Sequence, residues 1–248
     1  MFGSTSLHLP IIGLTLYGVA AGEYPGLKMN RATIALVGAV ALIGLGALSP
    51  EDAWRALDPG TLVLLFAMLV FNEHLRQAGF FGWISGWTIK RARSPRVVLA
   101  GILVLAAILA AFFLNDTVAI MLTPLVVDLT RRAGRNPIPY LLGVATAANI
   151  GATATLTGSP QTMIIGSAGG FTFLSFARAL APIALIGLGI AAGVLLKLYP
   201  DEFKRPWAPE SEPEAVAIDR PLLIKCLVLT LAMLVLFVLG VPVPLAAL

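Results

Sequence analysis

The chain has 248 residues, of which 58% are hydrophobic and only 12% charged, with a mean hydropathy of +0.91. Ordinary soluble domains carry roughly a quarter charged residues, and a water-soluble fold of this composition would leave large apolar patches on its surface, so the sequence belongs in a lipid bilayer. The 17 basic residues and the pI of about 9.5 do not mark a nucleic-acid partner, because the basic residues stand in short clusters between apolar runs, as membrane topology requires.

Charge-free runs at 1–22, 32–50, 59–72, 97–115, 136–177, 179–196 and 226–248 outline the membrane segments. A span takes about 20 residues, which leaves room for roughly six to eight passes. The first charged residue is Glu23 and the first basic one Lys28. Without the positive start of a signal peptide, the first run is expected to be a true membrane helix. With the N-terminus outside, every basic residue except Arg55 and Arg178 falls on the cytoplasmic side, as the positive-inside rule demands of an inner (plasma) membrane protein. Loops 87–96, 131–137 and 199–221 are then cytoplasmic.

Smaller features follow along the chain. Glu73 can reach Arg76 one helical turn on, and Asp128 can pair with Arg131 or Arg132. Trp83 and Trp87, beside a basic cluster, suit either a short interfacial helix over 80–90 or the end of the preceding span. The lone cysteine, Cys226, rules out a disulfide framework. The Pro- and Glu-rich stretch 199–221 reads as a flexible cytoplasmic linker between a first part, 1–198, and a second, 222–248.

Two interrupted segments draw attention. In 97–130, the arms Val97–Phe113 and Val118–Thr130 would be about 26 Å and about 20 Å long as helices. They meet at Leu114-Asn115-Asp116-Thr117. Short arms with basic clusters at both feet suit a re-entrant hairpin whose tip stops inside the membrane. Two full spans with an external turn would give the same charge bias. Asp116 carries the most information, since a carboxylate at mid-bilayer costs about 2.5–3.5 kcal/mol and normally faces a cavity, a partner or an ion; it could also cap the second arm.

In 138–168, the triplet Gly158-Ser159-Pro160 lies deep in an apolar run. Proline removes a donor and disfavours helix at the residue before it, so the helix is expected to break there. Ser159 then caps a new helix with Pro160 at its first position. The alternative is a simple proline kink in which Gly151, Ala152, Ala154 and Gly158 form a close packing face. Asn149, eight residues or roughly 12 Å of helix before the Gly158 break, is placed either to bond across helices or to line a cavity.

The runs Asn115-Asp116-Thr117-Val118-Ala119-Ile120-Met121-Leu122-Thr123-Pro124 and Ala148-Asn149-Ile150-Gly151-Ala152-Thr153-Ala154-Thr155-Leu156-Thr157-Gly158-Ser159-Pro160-Gln161 resemble the ion transporter superfamily, above all its citrate-transporter-like anion permeases, which are related to arsenite exporters and sodium/proton antiporters. The resemblance implies an all-α polytopic membrane protein built from inverted repeats. Each repeat carries a re-entrant hairpin and a broken helix, and the full-length protein forms a homodimer moving substrate by an elevator-like motion. It places Asn115, Asp116 and Thr117 at the hairpin tip and Thr157, Gly158, Ser159, Pro160 and Gln161 at the broken-helix junction, as substrate and ion ligands together with Asn149. A sodium site would draw on Asn115, Asp116, Gly158 and Ser159. Where dicarboxylate symporters tend to carry Ser-Asn-Thr at the tip, this chain has Leu114-Asn115-Asp116, which fits proton coupling, a cation site or a neutral substrate such as arsenite as well as a carboxylate.

The expected function is therefore sodium- or proton-coupled transport of a small anion or oxyanion, with no cofactor. A sodium/proton antiporter and a non-catalytic channel or structural subunit are the alternatives. An intramembrane enzyme is not expected, because one deep carboxylate and two histidines near membrane edges supply no catalytic set. One repeat and the first helix of a second would occupy these 248 residues, about half of such a transporter, so the chain alone is expected not to transport.

Overall fold

A computed structural model describes residues 5–22, 29–84, 94–204, 206, 218–241 and 243–246. The fold is all-α: α1 (Thr5–Ala21), α2 (Arg31–Gly44), α3 (Pro50–Arg55), α4 (Pro59–Gln77), α5 (Pro95–Phe112), α6 (Asn115–Arg132), α7 (Ile138–Ala152), α8 (Pro160–Gly169), α9 (Phe173–Leu198), α10 (Pro200–Lys204), α11 (Arg220–Val238) and α12 (Val243–Ala246). Among them α5, α9 and α11 are long and apolar enough to cross a membrane. The chain divides into two compact units, Met1–Asp58 and Pro59–Leu248.

In the first unit α1 packs on α2. Gly38 of α2 lies so close to Thr15 of α1 that a Cβ there would stand 2.2 Å from the threonine Oγ1. The Thr15 hydroxyl turns back to its own helix and donates to Ile11 C=O at 2.7 Å, which leaves no polar group bare at the contact. Asn30 caps α2 by accepting from Thr33 N–H at 2.9 Å, and Ser49 caps α3 in the same way from Asp52 N–H at 3.0 Å.

The second unit is organised around α7, which packs against α5, α6 and α9. Small residues let it approach α5 closely. A Cβ on Gly151 would lie 2.2 Å from Ala107 C=O and 2.4 Å from Ala107 Cα, and one on Gly143 would meet a Leu99 methyl at 3.2 Å. The packing face expected from the small residues of 151–158 is therefore real, and it coexists with a true break in the helix. Helix α4 buries a stripe of Thr61, Leu64, Met68, Asn72 and Leu75 and packs against α8, α11 and α12. Beyond its apolar run, Glu73 binds Arg76 and Gln77. The bond from Arg76, followed by that from Gln77, lowers the carboxyl to about 2. Asp128 pairs with Arg132 at 2.8 Å.

Three boundaries differ from the sequence expectation. First, α5 and α6 have 18 residues each, or about 27 Å of helix. α5 starts early because Ser94 caps it ahead of Pro95. α6 starts early because Asn115, Asp116 and Thr117 form its first turn, where an acid meets the positive end of the helix dipole. The polar tip is thus helical, and α5 is not too short to span. Second, α7 ends at Ala152, so the break runs from Thr153 to Ser159 and is wider than a kink at Pro160. Third, the linker 199–221 begins as a docked element, because α10 packs on α5 and α9 with Phe203 buried. Residues 205 and 207–217 lie outside the described residues. Of the tryptophan pair, Trp83 sits in a helical stretch, 80–84, while Trp87 and positions 87–93 of the loop also fall outside them.

The docking of α10 rests on Arg135. Its side chain is 4% exposed, and the guanidinium stands 3.5 Å from the Glu202 carboxylate. It donates to Glu202 C=O at 3.1 Å and to Pro206 C=O. The Tyr140 hydroxyl donates to the same carboxylate at 3.2 Å, and its ring meets Phe203 edge-on at 5.8 Å.

Two stability predictions follow from these contacts. Gly151→Ala forces α7 away from α5 and should destabilise the protein by about 2–3 kcal/mol. Gly193→Ala, where no neighbour among the described residues lies within 4 Å of the added carbon, should leave stability unchanged or raise it by up to about 1 kcal/mol; thermal unfolding in detergent distinguishes the two. Arg135→Ala strands a nearly buried carboxylate, which should cost about 3–5 kcal/mol and speed amide exchange across 199–204.

Candidate functional site

The site forms where the two interrupted segments meet. α5 ends because Phe113 is extended, with φ −121° and ψ 162°, and the end of a helix leaves carbonyls without partners. The break after α7 supplies the donors. The hydroxyls of Thr155 and Thr157 both donate to Ala111 C=O, the latter at 3.3 Å. In return, the first N–H of α6, on Asn115, donates to Gly158 C=O at 3.0 Å. Each irregular segment thus satisfies main-chain groups of the other, as burial in an apolar medium requires.

Gly158 is confined on two sides: a Cβ there would lie 2.4 Å from Ala152 C=O and 2.7 Å from Ala110 C=O. Ser159 accepts from Thr162 N–H at 3.2 Å directly before Pro160 opens α8, which is the capping arrangement read from the sequence. Thr162 returns the contact, its hydroxyl donating to Ser159 C=O at 2.9 Å.

Side chains tie the same two segments together. The Asn115 amide donates to Asn149 Oδ1 at 3.1 Å, and the Asn149 amide donates to Ala145 C=O at 2.8 Å. Of the two roles open for Asn149, bonding across helices is therefore realised. Asn149 is also exposed, together with Thr146 on the same side of α7, Thr153 just past its end, and Asp116 on α6. The hydroxyls of Thr146 and Thr153 donate to Leu142 C=O and Ile150 C=O, each at 2.7 Å, so their oxygens are left as acceptors. The side chain that caps α6 in sequence is that of Leu114, which makes no capping bond; Asp116 sits two residues later in the first turn. Its carboxylate makes no hydrogen bond or ion pair among the described residues.

The residues singled out in the sequence therefore separate into two groups. Thr157, Gly158 and Ser159 are buried and hold the break in shape. Asp116, Asn149 and Gln161 are exposed, and Asn115, Thr117 and Pro160 are half-buried. Of the oxygens expected to surround sodium, Gly158 C=O and Ser159 Oγ already have protein partners, whereas the Asp116 carboxylate is free to take a cation. Among the described residues, no cluster of three or more His, Cys, Asp or Glu exists to hold a transition metal. Thr155, Thr146 and Thr153 were not singled out. Their signal is a run of hydroxyls in an otherwise apolar segment, and the main-chain acceptors they use leave no mark in a sequence.

A bundle of apolar helices whose two interrupted segments close on each other at polar residues has the construction of membrane transport proteins. Residues 19–248 match the family described as citrate transporter, and the chain belongs to that family. It is 34% identical over 199 residues to the silicon efflux transporter LSI3 of Oryza sativa subsp. japonica, covering 78% of this chain and 41% of that one. It is 31% identical over 243 residues to a 46 kDa membrane protein of Mycobacterium leprae, covering 93% and 56%. A transporter of Dictyostelium discoideum named arsB is 28% identical over 178 residues, covering 72% and 32%. The chain thus spans between about a third and just over half the length of these relatives. The family and the rice and Dictyostelium names are those of transporters, not of enzymes.

The amide bridge can be weighed by a double-mutant cycle. Asn115→Ala and Asn149→Ala should each destabilise the protein, and the pair should show a coupling of about 1 kcal/mol in thermal unfolding; a coupling near zero would mean the bridge does not hold the segments together.

Proposed function

We propose that this chain is part of a secondary active transporter of the inner (plasma) membrane, carrying a small oxyanion or its undissociated acid and coupled to a sodium ion or a proton. The observation that carries this reading is the closure of the two breaks on each other, Asn115 N–H on Gly158 C=O at 3.0 Å and the Asn115 amide on Asn149 at 3.1 Å, with an unpaired carboxylate, Asp116, beside it. Irregular main chain at membrane depth is tolerated only against protein or a watery cavity, and a carboxylate there calls for an ion, a partner or water. A substrate path along the exposed side of α6 and α7 meets both demands.

The chemistry of that side bears on the substrate. Asp116, Thr146 and Thr153 offer acceptor oxygens, and no basic residue lies between Arg96 and Arg131 or between Arg135 and Arg178. A multiply charged carboxylate would find acceptors where it needs donors, whereas a hydroxylated acid in its neutral form donates to them. The silicon efflux in the rice relative's name accords with an acid of this kind. Asp116 is the natural holder of the coupling cation or proton, with Asn115 and the Gly158 main chain at its side. The basic residues favour an outside N-terminus with loops 87–96, 131–137 and 199–221 in the cytoplasm. An elevator-like motion and a homodimer complete the proposal.

The protein carrying this sequence, reconstituted in vesicles, should show counterflow of arsenite or silicic acid and uptake driven by a sodium or a pH gradient, the active gradient naming the coupling ion. Asp116→Asn should abolish gradient-driven uptake while membrane insertion and thermal stability stay unchanged. Full uptake by this variant would refute the role of Asp116, and flux without counterflow would point to a channel.

A further inference from the structure

Outside the site, one polar side chain stands apart. Asn72 is 1% exposed, and among the described residues neither its Nδ2 nor its Oδ1 has a hydrogen-bond partner. It interrupts the buried stripe of α4 between Met68 and Leu75. A buried amide without a partner is expensive, disfavouring the arrangement that contains it by on the order of tenfold. Leucine, of similar size, would fill the same place without that penalty.

The surroundings suggest what the amide is for. Phe71, next in the chain, stacks on Phe113 with ring centroids 6.1 Å apart and planes 25° apart, and Phe80 meets the same ring edge-on at 6.1 Å. This part of α4 therefore abuts the break between α5 and α6. On the other side of that break, α6 begins without a side-chain cap; its first N–H, on Asn115, is taken by Gly158 C=O, but the next donors of the turn lack the acceptor that a capping oxygen normally supplies. An unpaired acceptor on α4 and an uncapped first turn on α6 are complementary.

We propose that Asn72 is a positioning residue of the transport cycle: unpaired in the arrangement described, its amide receives the first turn of α6 in a second arrangement and thereby draws the α5–α6 segment towards it. Asn72 touches neither substrate nor ion; it sets the balance between two positions of the segment that carries Asn115 and Asp116. This rests on the reading of the protein as a transporter with at least two arrangements.

The test uses the protein carrying this sequence, with Cys226→Ser and spin labels at Phe66→Cys and Ile120→Cys, positions 70% and 65% exposed on α4 and α6. Double electron–electron resonance should show two label distances. Asn72→Leu should raise the unfolding temperature, because the described arrangement loses its unpaired amide. It should also cut the population of the second distance about tenfold and slow substrate turnover by a similar factor, leaving the half-saturating substrate concentration little changed. Asn72→Val covers the case in which leucine overfills the site. A fall in unfolding temperature with both variants would overturn the proposal, since it would mean the amide has a fixed partner in the described arrangement. Two distances with unchanged populations would overturn it as well. A single distance in the parent protein would overturn the transporter cycle itself, and the role of Asn72 with it.

Discussion

The constraint on which this structure depends is that no main-chain polar group can be left bare in an apolar medium. A continuous helix meets it internally; an interrupted one cannot. Here two interruptions, about 40 residues apart in sequence, meet it for each other. Ala111 C=O at the end of one helix takes the hydroxyls of Thr155 and Thr157, and Gly158 C=O in the other break takes Asn115 N–H. Removing either break would leave the other with unsatisfied groups, so the two are a single structural unit.

That exchange explains the close helix packing around it. Carbonyls can be shared across segments only if the segments touch main chain to main chain, and glycine allows this. Gly151 brings α7 onto the backbone of Ala107, and Gly158 fits between Ala152 and Ala110. Small residues and proline therefore serve one purpose, although in a sequence they read as rival explanations. The polar residues left over after this mutual satisfaction, Asp116 and the exposed side of α7, are those available to a ligand.

Much of this was legible in the sequence because some signals are local. Ser159-Pro160 announces a helix start within three residues, and the charge-free runs place the helices. Family motifs marked the two segments. What was not legible depends on contacts between distant positions. The Asn115–Asn149 bridge joins two residues that were each singled out, but nothing local in the sequence pairs them, and an alanine carbonyl as acceptor is invisible in any sequence. The arm lengths were misjudged because Asn and Asp, common in loops, are also favoured in the first turn of a helix. Arg135 was counted only as a topology signal, yet it is buried and spends its charge on Glu202.

The Arg135 contacts also bear on where this part of the molecule can be divided. Hydropathy alone draws a boundary at Leu198, where the long helix α9 ends. The guanidinium nevertheless reaches across to the carbonyls of Glu202 and Pro206. A fragment stopped at residue 198 would expose Tyr140 and strand a buried cation beneath the first turn of α7. A piece that keeps both interrupted segments and this contact therefore extends through Pro206, and what looked like tether is in part packed against the helical bundle.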